Sequence, residues 1–197
     1  MTEAEYLALD EASAFKHEFV DGEVYAMTGG SEKHSIIGAN TLTALHIGLR
    51  SRPCIVYTAD MRVHVATTGN YFYPDITVVC GERRFMTDAP IATLLNPALI
   101  VEVLSPSTEL YDRTTKFQHY QQIPELESYI LVAQDRPYIE HYMRGEDTTW
   151  IYRQAAGLDG TLHLSTLEVT LALSEIYAQI DFDNGDLDGP AQTHETD

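Results

Sequence analysis

Apolar and polar positions alternate along this chain in two periods, one helical and one extended, and the switches between them outline the elements. Thr2-Glu3-Ala4-Glu5 has the pattern of a capping box and predicts a short helix through about Asp10. Phe15 to Val20 and Glu23 to Met27 flank Asp21-Gly22, a two-residue hairpin signal. Gly29-Gly30 break the pattern, and Ser31 caps a helix through about Leu49. Ile37, Leu42, Leu45 and Leu49 fall near one face of that helix and Pro53 follows its end, so it is expected to pack on a sheet.

Extended periods follow. Cys54 to Val65 reads as one strand, with Met61, Val63 and Val65 on one side and Asp60, Arg62 and His64 on the other. After a turn over Thr67 to Asn70, Tyr71 to Cys80 returns antiparallel to it. Gly81 to Asn96 contains Pro90 and reads as a loop with a short helix around Ile91 to Leu95. Pro97 precedes a strand over Ala98 to Leu104. Ser105-Pro106-Ser107 ends that strand and offers caps for a helix from Glu109 to Gln122, which stops near Ile123-Pro124. Tyr129 to Ala133 is the next strand. A strand, helix, strand path of this kind makes the two strands parallel, with a right-handed crossover, and ligands favour the strand ends near the helix. Tyr138 to Arg144, Trp150 to Gln154 and Thr161 to Leu164 are hairpin strands expected to extend the sheet. Leu167 to Leu173 is a further extended segment, and Ser174 caps a last helix through about Ile180. The class expected is a mixed α/β (α+β) protein: a mixed sheet flanked by helices, with extra hairpins.

Against this pattern two carboxylates are out of place. Asp75 follows Pro74 at the start of YPDITVVC, and Glu102 lies between Val101 and Val103 in a buried-type strand. An ionised carboxylate there is costly unless it is paired, neutralised or bound to a metal. Asp112, Lys116 and Tyr120 recur at i, i+4 and i+8, which puts them on one helix face with His119 beside it. Two acids and one lysine can therefore converge at one end of a small sheet.

Tyr73-Pro74-Asp75, the run Val101-Glu102-Val103-Leu104-Ser105-Pro106-Ser107-Thr108, and Asp112 with Lys116 resemble the Uma-type family of putative restriction endonucleases, whose domains belong to the PD-(D/E)XK nuclease fold. Glu18-Phe19-Val20-Asp21-Gly22 and the helix start at Ser31 to His34 also resemble it, so the likeness spans roughly residues 13 to 180. It implies a restriction-endonuclease-like core and a Mg²⁺- or Mn²⁺-dependent endonuclease hydrolysing DNA phosphodiesters. Asp75 and Glu102 would hold the metal and Lys116 would assist. The chain departs from the fold's signature at Leu104, where a lysine is usual; the lysine is expected from the following helix, as Lys116. A homodimer is expected, because cutting both strands of a duplex needs two sites.

Composition bears on this reading. With 197 residues, 44% of them hydrophobic, a single domain over 1–180 is expected, followed by an acidic, disordered tail over 181–197. The formal net charge is −18. From Gln154 onward there are nine acids and no Lys or Arg, while the first 153 residues carry 21 acids against 12 bases. Proteins that bind nucleic acid through phosphate neutralisation are basic. This chain therefore needs a local patch, a metal or a partner, and Arg50, Arg52, Arg62, Arg83, Arg84 and Arg113 are the candidates for a patch. Cys54 and Cys80 lie in apolar stretches without zinc-type spacing and read as buried free thiols. The N-terminus has acids where a signal peptide needs bases, and no run of about 18 apolar residues occurs. A cytoplasmic protein without a membrane span is expected.

Read singly, each residue has a plainer role: Asp75 as a strand-end cap, Glu102 as a structural partner of an Arg such as Arg62, Lys116 as a solvated helix lysine paired with Asp112. His34 at its helix start and Glu18 in its strand are outer candidates, and Asp60 is expected on a solvated or paired face. No HExxH, zinc-type cysteine set, phosphate-binding loop or G-x-S-x-G elbow is present. Two readings stand: the metal-dependent endonuclease, and a catalytically silent nuclease-like domain serving as an interaction or dimerisation module, to which the acidity and the 12 Tyr are suited.

Overall fold

The computed structural model describes residues 1–87 and 89–182; the expected tail over 181–197 lies outside them beyond its first two residues. Helix α1 (Glu3–Ala12) begins with the full capping box, Thr2 and Glu5 each accepting from the other's backbone N–H. Strands β1 (His17–Val20) and β2 (Glu23–Ala26) pair antiparallel through Asp21 and Gly22, whose φ values of 52° and 88° are those that a tight two-residue turn requires. Helix α2 (Glu32–Leu49) is capped by Ser31 and buries Ile37, Thr41, Leu45 and Leu49.

The expected long strand over Cys54 to Val65 is two strands, β3 (Cys54–Thr58) and β4 (Arg62–Val65), and its return is likewise divided into β5 (Asn70–Phe72) and β6 (Ile76–Cys80). Both breaks fall at the same level, at the turn of residues 59–61 and at Tyr73-Pro74-Asp75, so the antiparallel ribbon is shared between two sheets. β4 and β5 pair in one, β3 and β6 in the other. Pro74 cannot donate to a ladder, which marks the break. Ile91 to Leu95 does not form a helix: Thr93–Leu94 is a short strand, β7, parallel to β4. Arg62 Nε, donating to Thr93 Oγ1 at 2.9 Å, holds it there.

Strand β8 (Leu99–Val103) leads into a helical segment over 109–120 made of α3 (Glu109–Tyr111), a π turn (Asp112–Lys116) and α4 (Phe117–Tyr120). It returns to β9 (Ser128–Val132), parallel to β8 as expected. Strands β10 (Tyr138–Arg144) and β11 (Trp150–Ala156) extend this sheet to the order β11-β10-β9-β8-β6-β3. Strand β12 (Thr161–Leu164) does not join it. It pairs with β13 (Val169–Ala172) as a separate ribbon, and the last helix is a single turn, α5 (Leu173–Ile176). The other sheet runs β2-β1-β5-β4-β7.

The six-stranded sheet is covered on both faces. One face packs Ile76, Val101, Val103, Ile130 and Val132 against Ile37, Leu45 and Leu49 of α2, with β12, β13 and α5 closing the same core. The other packs Ile100, Tyr129 and Leu131 against Phe117 and Tyr120 and against Val63, Val65 and Phe72 of the five-stranded sheet. Side chains alternate along β8, so Glu102 lies with Ile100 on this second face, toward the 109–120 helix. Cys54 and Cys80 are not free thiols but a disulfide, because the β3/β6 register sets them directly opposite one another. Among the described residues no helix is long and apolar enough to cross a membrane.

Candidate active site

At the C-terminal end of β8, the start of β6 and the face of the 109–120 helix, the charged residues meet. Lys116 Nζ lies 3.0 Å from Glu102 Oε1, 3.1 Å from Glu18 Oε1 and 3.7 Å from Asp112 Oδ1. The π turn keeps Asp112 and Lys116 buried together, and α4 then brings the Tyr120 hydroxyl to donate to Glu102 Oε1 at 2.9 Å. Wider turns of this kind recur at functional sites. Lys116 is thus no solvated helix lysine; its side chain is 8% exposed. Asp75 stands next to Glu102. Its Oδ2 accepts from the Val103 N–H at 2.7 Å, and its own N–H points to Glu102 Oε2 at 3.4 Å.

Of the outer candidates, the structure brings in Glu18 and His34. The Tyr73 N–H donates to Glu18 Oε1 at 3.1 Å, so the break before Asp75 also fixes Glu18. His34 Nε2 is 3.2 Å from Asp75 Oδ2, presented by the capped start of α2. Asp60 is not brought in: it is an exposed partner of Lys16 at 2.5 Å. Nor does Glu102 pair with Arg62. Arg62, expected on a solvated or paired face, is paired and fully buried, with Nη1 2.8 Å from Asp10 Oδ2.

Asp10 also accepts from the Tyr73 hydroxyl at 2.7 Å and the His17 N–H at 2.9 Å. This second buried cluster, tied to the site through Tyr73, had no signature in the sequence, since an acid at the end of a short polar helix reads as solvated. Tyr120 was legible by its spacing from Lys116; the Tyr73 N–H, a backbone group, was not.

Negative charge is in surplus. Burial drives the Glu102 carboxyl well above the usual carboxylate range; Lys116 opposes this, while Asp112, Asp75 and Glu18 add to it. Burial likewise raises Asp112, against the pull of Lys116. The Lys116 ammonium is pulled down by burial, but Glu102, Glu18 and Asp112 outweigh it and hold it well above its ordinary value. The hydrogen bond to Asp75 raises His34, outweighing burial, and the Val103 backbone adds to the rise. Among the described residues no group of three or more His, Cys, Asp or Glu side chains is arranged to enclose an ion. Asp75 and Glu102 nevertheless supply hard oxygen donors where acids outnumber the one lysine, and this donor set fits a hard divalent cation that keeps its own waters.

Three of the basic candidates are tied to acids: Arg52 pairs with Glu168, Arg84 with Glu125, and Arg113 with Glu140 and Glu109.

The comparisons agree with this architecture. Two uncharacterized proteins of Synechocystis sp. are similar: slr1290 is 36% identical over 90% of this chain and 92% of its own length, and sll1609 is 33% identical over 86% and 95%. The crystal structure of a putative nuclease belonging to DUF820 from Anabaena variabilis superposes with a TM-score of 0.73 at 18% identity, covering 90% of this chain and 97% of that one, and it shares the restriction-endonuclease-like fold. Residues 3–175 match Uma2, the putative restriction endonucleases, and the chain belongs to that family.

Proposed function

We propose that the chain is a divalent-metal-dependent endonuclease that hydrolyses DNA phosphodiesters. The observation that carries this is the contact of Lys116 Nζ with Glu102 at 3.0 Å where Glu102 adjoins Asp75, two acids from neighbouring strands and a cation from the following helix. Asp75 and Glu102, with the peptide carbonyl of Val103, would hold Mg²⁺ or Mn²⁺. Such an ion, when bound, polarises a phosphate and lowers the pKa of a water on it. Lys116, held protonated by the acids around it, acts as a fixed positive charge facing the phosphate rather than as a base. Glu18 and Asp112 set its position from two sides. His34 orients Asp75, and Tyr120 orients Glu102.

The experiment is cleavage of supercoiled plasmid and of single-stranded DNA at low salt with Mg²⁺ or Mn²⁺, comparing the wild type with Asp75→Asn and Lys116→Ala. Cleavage by the wild type alone is expected. If nothing is cut and the metals leave the melting temperature unmoved, the endonuclease reading falls and the silent interaction module replaces it.

A further inference from the structure

One tyrosine beside the site has no part in the reading above. The β1/β2 register sets Tyr25 directly opposite Glu18, so the two side chains share a face of the ribbon. Glu18 is buried and reaches Lys116 Nζ at 3.1 Å, whereas Tyr25 is 49% exposed, so its ring forms the solvent side of the wall that Glu18 forms within. The Tyr25 hydroxyl donates to Glu23 Oε2 at 2.7 Å, which tethers the ring on the outermost strand of its sheet.

The charge balance says what this ring is suited to. With a net charge of −18 and with Arg52, Arg84 and Arg113 each tied to separate acids, phosphate neutralisation is a poor source of affinity. Stacking of a base on an exposed ring needs no cation and tolerates any sequence. We propose that Tyr25 contacts the substrate beside this site. It stacks on an unpaired nucleobase next to the scissile phosphate, and the substrate class is single-stranded or locally unpaired nucleic acid. The assignment rests on the nuclease reading and adds to it the class of substrate.

The test is fluorescence anisotropy of the full chain, with Ca²⁺ present, on a labelled oligothymidylate and on the matching duplex. The wild type is expected to favour the single strand and to lose little affinity between 50 and 200 mM salt. Tyr25→Ala should weaken single-strand binding by about tenfold and Tyr25→Phe should retain it, both with melting temperatures near that of the wild type. Unchanged binding by Tyr25→Ala, or a duplex preference with steep salt dependence, overturns the assignment while leaving metal-dependent plasmid cleavage, and so the nuclease reading, intact. Absence of binding to either oligonucleotide together with absence of cleavage overturns both.

Discussion

Replacing Lys116 with Met keeps most of the side-chain volume and removes the charge that three carboxylates face. Its ammonium lies 3.0 Å from Glu102, 3.1 Å from Glu18 and 3.7 Å from Asp112, and the side chain is 8% exposed, so water does not take its place. Two effects compete. Removing a buried ammonium recovers its desolvation cost, but the acids left behind lose their counter-ion, and breaking a buried pair from one side costs about 3–5 kcal/mol. With three acids and one lysine the second effect dominates. For a chain of this size each kcal/mol moves the melting temperature by about 2–4 °C, so Lys116→Met should melt roughly 10 °C below the wild type in EDTA. Glu102→Gln should relieve part of this, and the double variant should lie above the sum of the singles by about 2 kcal/mol. Urea unfolding of the four proteins measures the cycle. A Lys116→Met protein within about 0.5 kcal/mol of wild type, or a strictly additive cycle, would refute the claim that these charges are mutually dependent. The result also bears on the cleavage assay, since loss of activity in Lys116→Ala is informative only in a variant still folded at the assay temperature.

Two further outcomes are expected elsewhere in the molecule. His141 is fully buried, with Nε2 3.0 Å from Ser128 Oγ, and burial first, then Arg153, pushes it down to about 4. Its folded value lies below its unfolded value near 6.5, so the unfolded chain binds the extra proton between them. The associated stability is complete above about pH 6.5 and lost as the pH falls to about 4, roughly 3 kcal/mol in all; denaturant titrations of the wild type and His141→Gln should show the difference, and parallel pH profiles would contradict it. The Cys54–Cys80 disulfide closes a loop with a sequence separation of 26, and chain entropy assigns it about 3–4 kcal/mol. Paired Cys54→Ser and Cys80→Ser substitutions should lower stability by that amount, and unfolding midpoints equal with and without reductant would show that the bridge does not form in solution.

The hydrophobic pattern carried the helices and hairpins well because their signals are local. The capping box at Thr2, the Asp21-Gly22 turn and the Ser31 cap each lie within a few residues of what they specify. It misread elements whose fate depends on distant partners. Nothing near Cys54 to Val65 announces that the strand will be divided between two sheets. Nothing near Thr161 to Leu164 announces that it will pair only with Val169–Ala172. The disulfide was hidden for the same reason. Two cysteines in apolar strands look like free thiols until the register between the strands is known, and that register is set by the division at Pro74.

The site follows the same rule. Glu102 was legible because a charge in a buried strand is an anomaly that sequence alone displays, and Lys116, which singly reads as a solvated helix lysine, only through the helix face it shares with Asp112 and Tyr120 and through the family resemblance; their contacts realise that spacing. Asp10 and Arg62 were not, because each sits where a polar residue is ordinary, and only the fold closes Tyr6, Tyr71 and Tyr73 around them. Tyr73 joins the two clusters: its hydroxyl donates to Asp10 while its N–H donates to Glu18, which in turn reaches Lys116. A buried ion pair such as Asp10 with Arg62 is a weak source of net stability, since desolvation offsets most of its attraction. What it does supply here is geometry: the break at Tyr73-Pro74-Asp75 is anchored from one side by the second cluster and from the other by the Val103 N–H on Asp75, so the acid at the strand end is held by contacts that the apolar pattern does not encode.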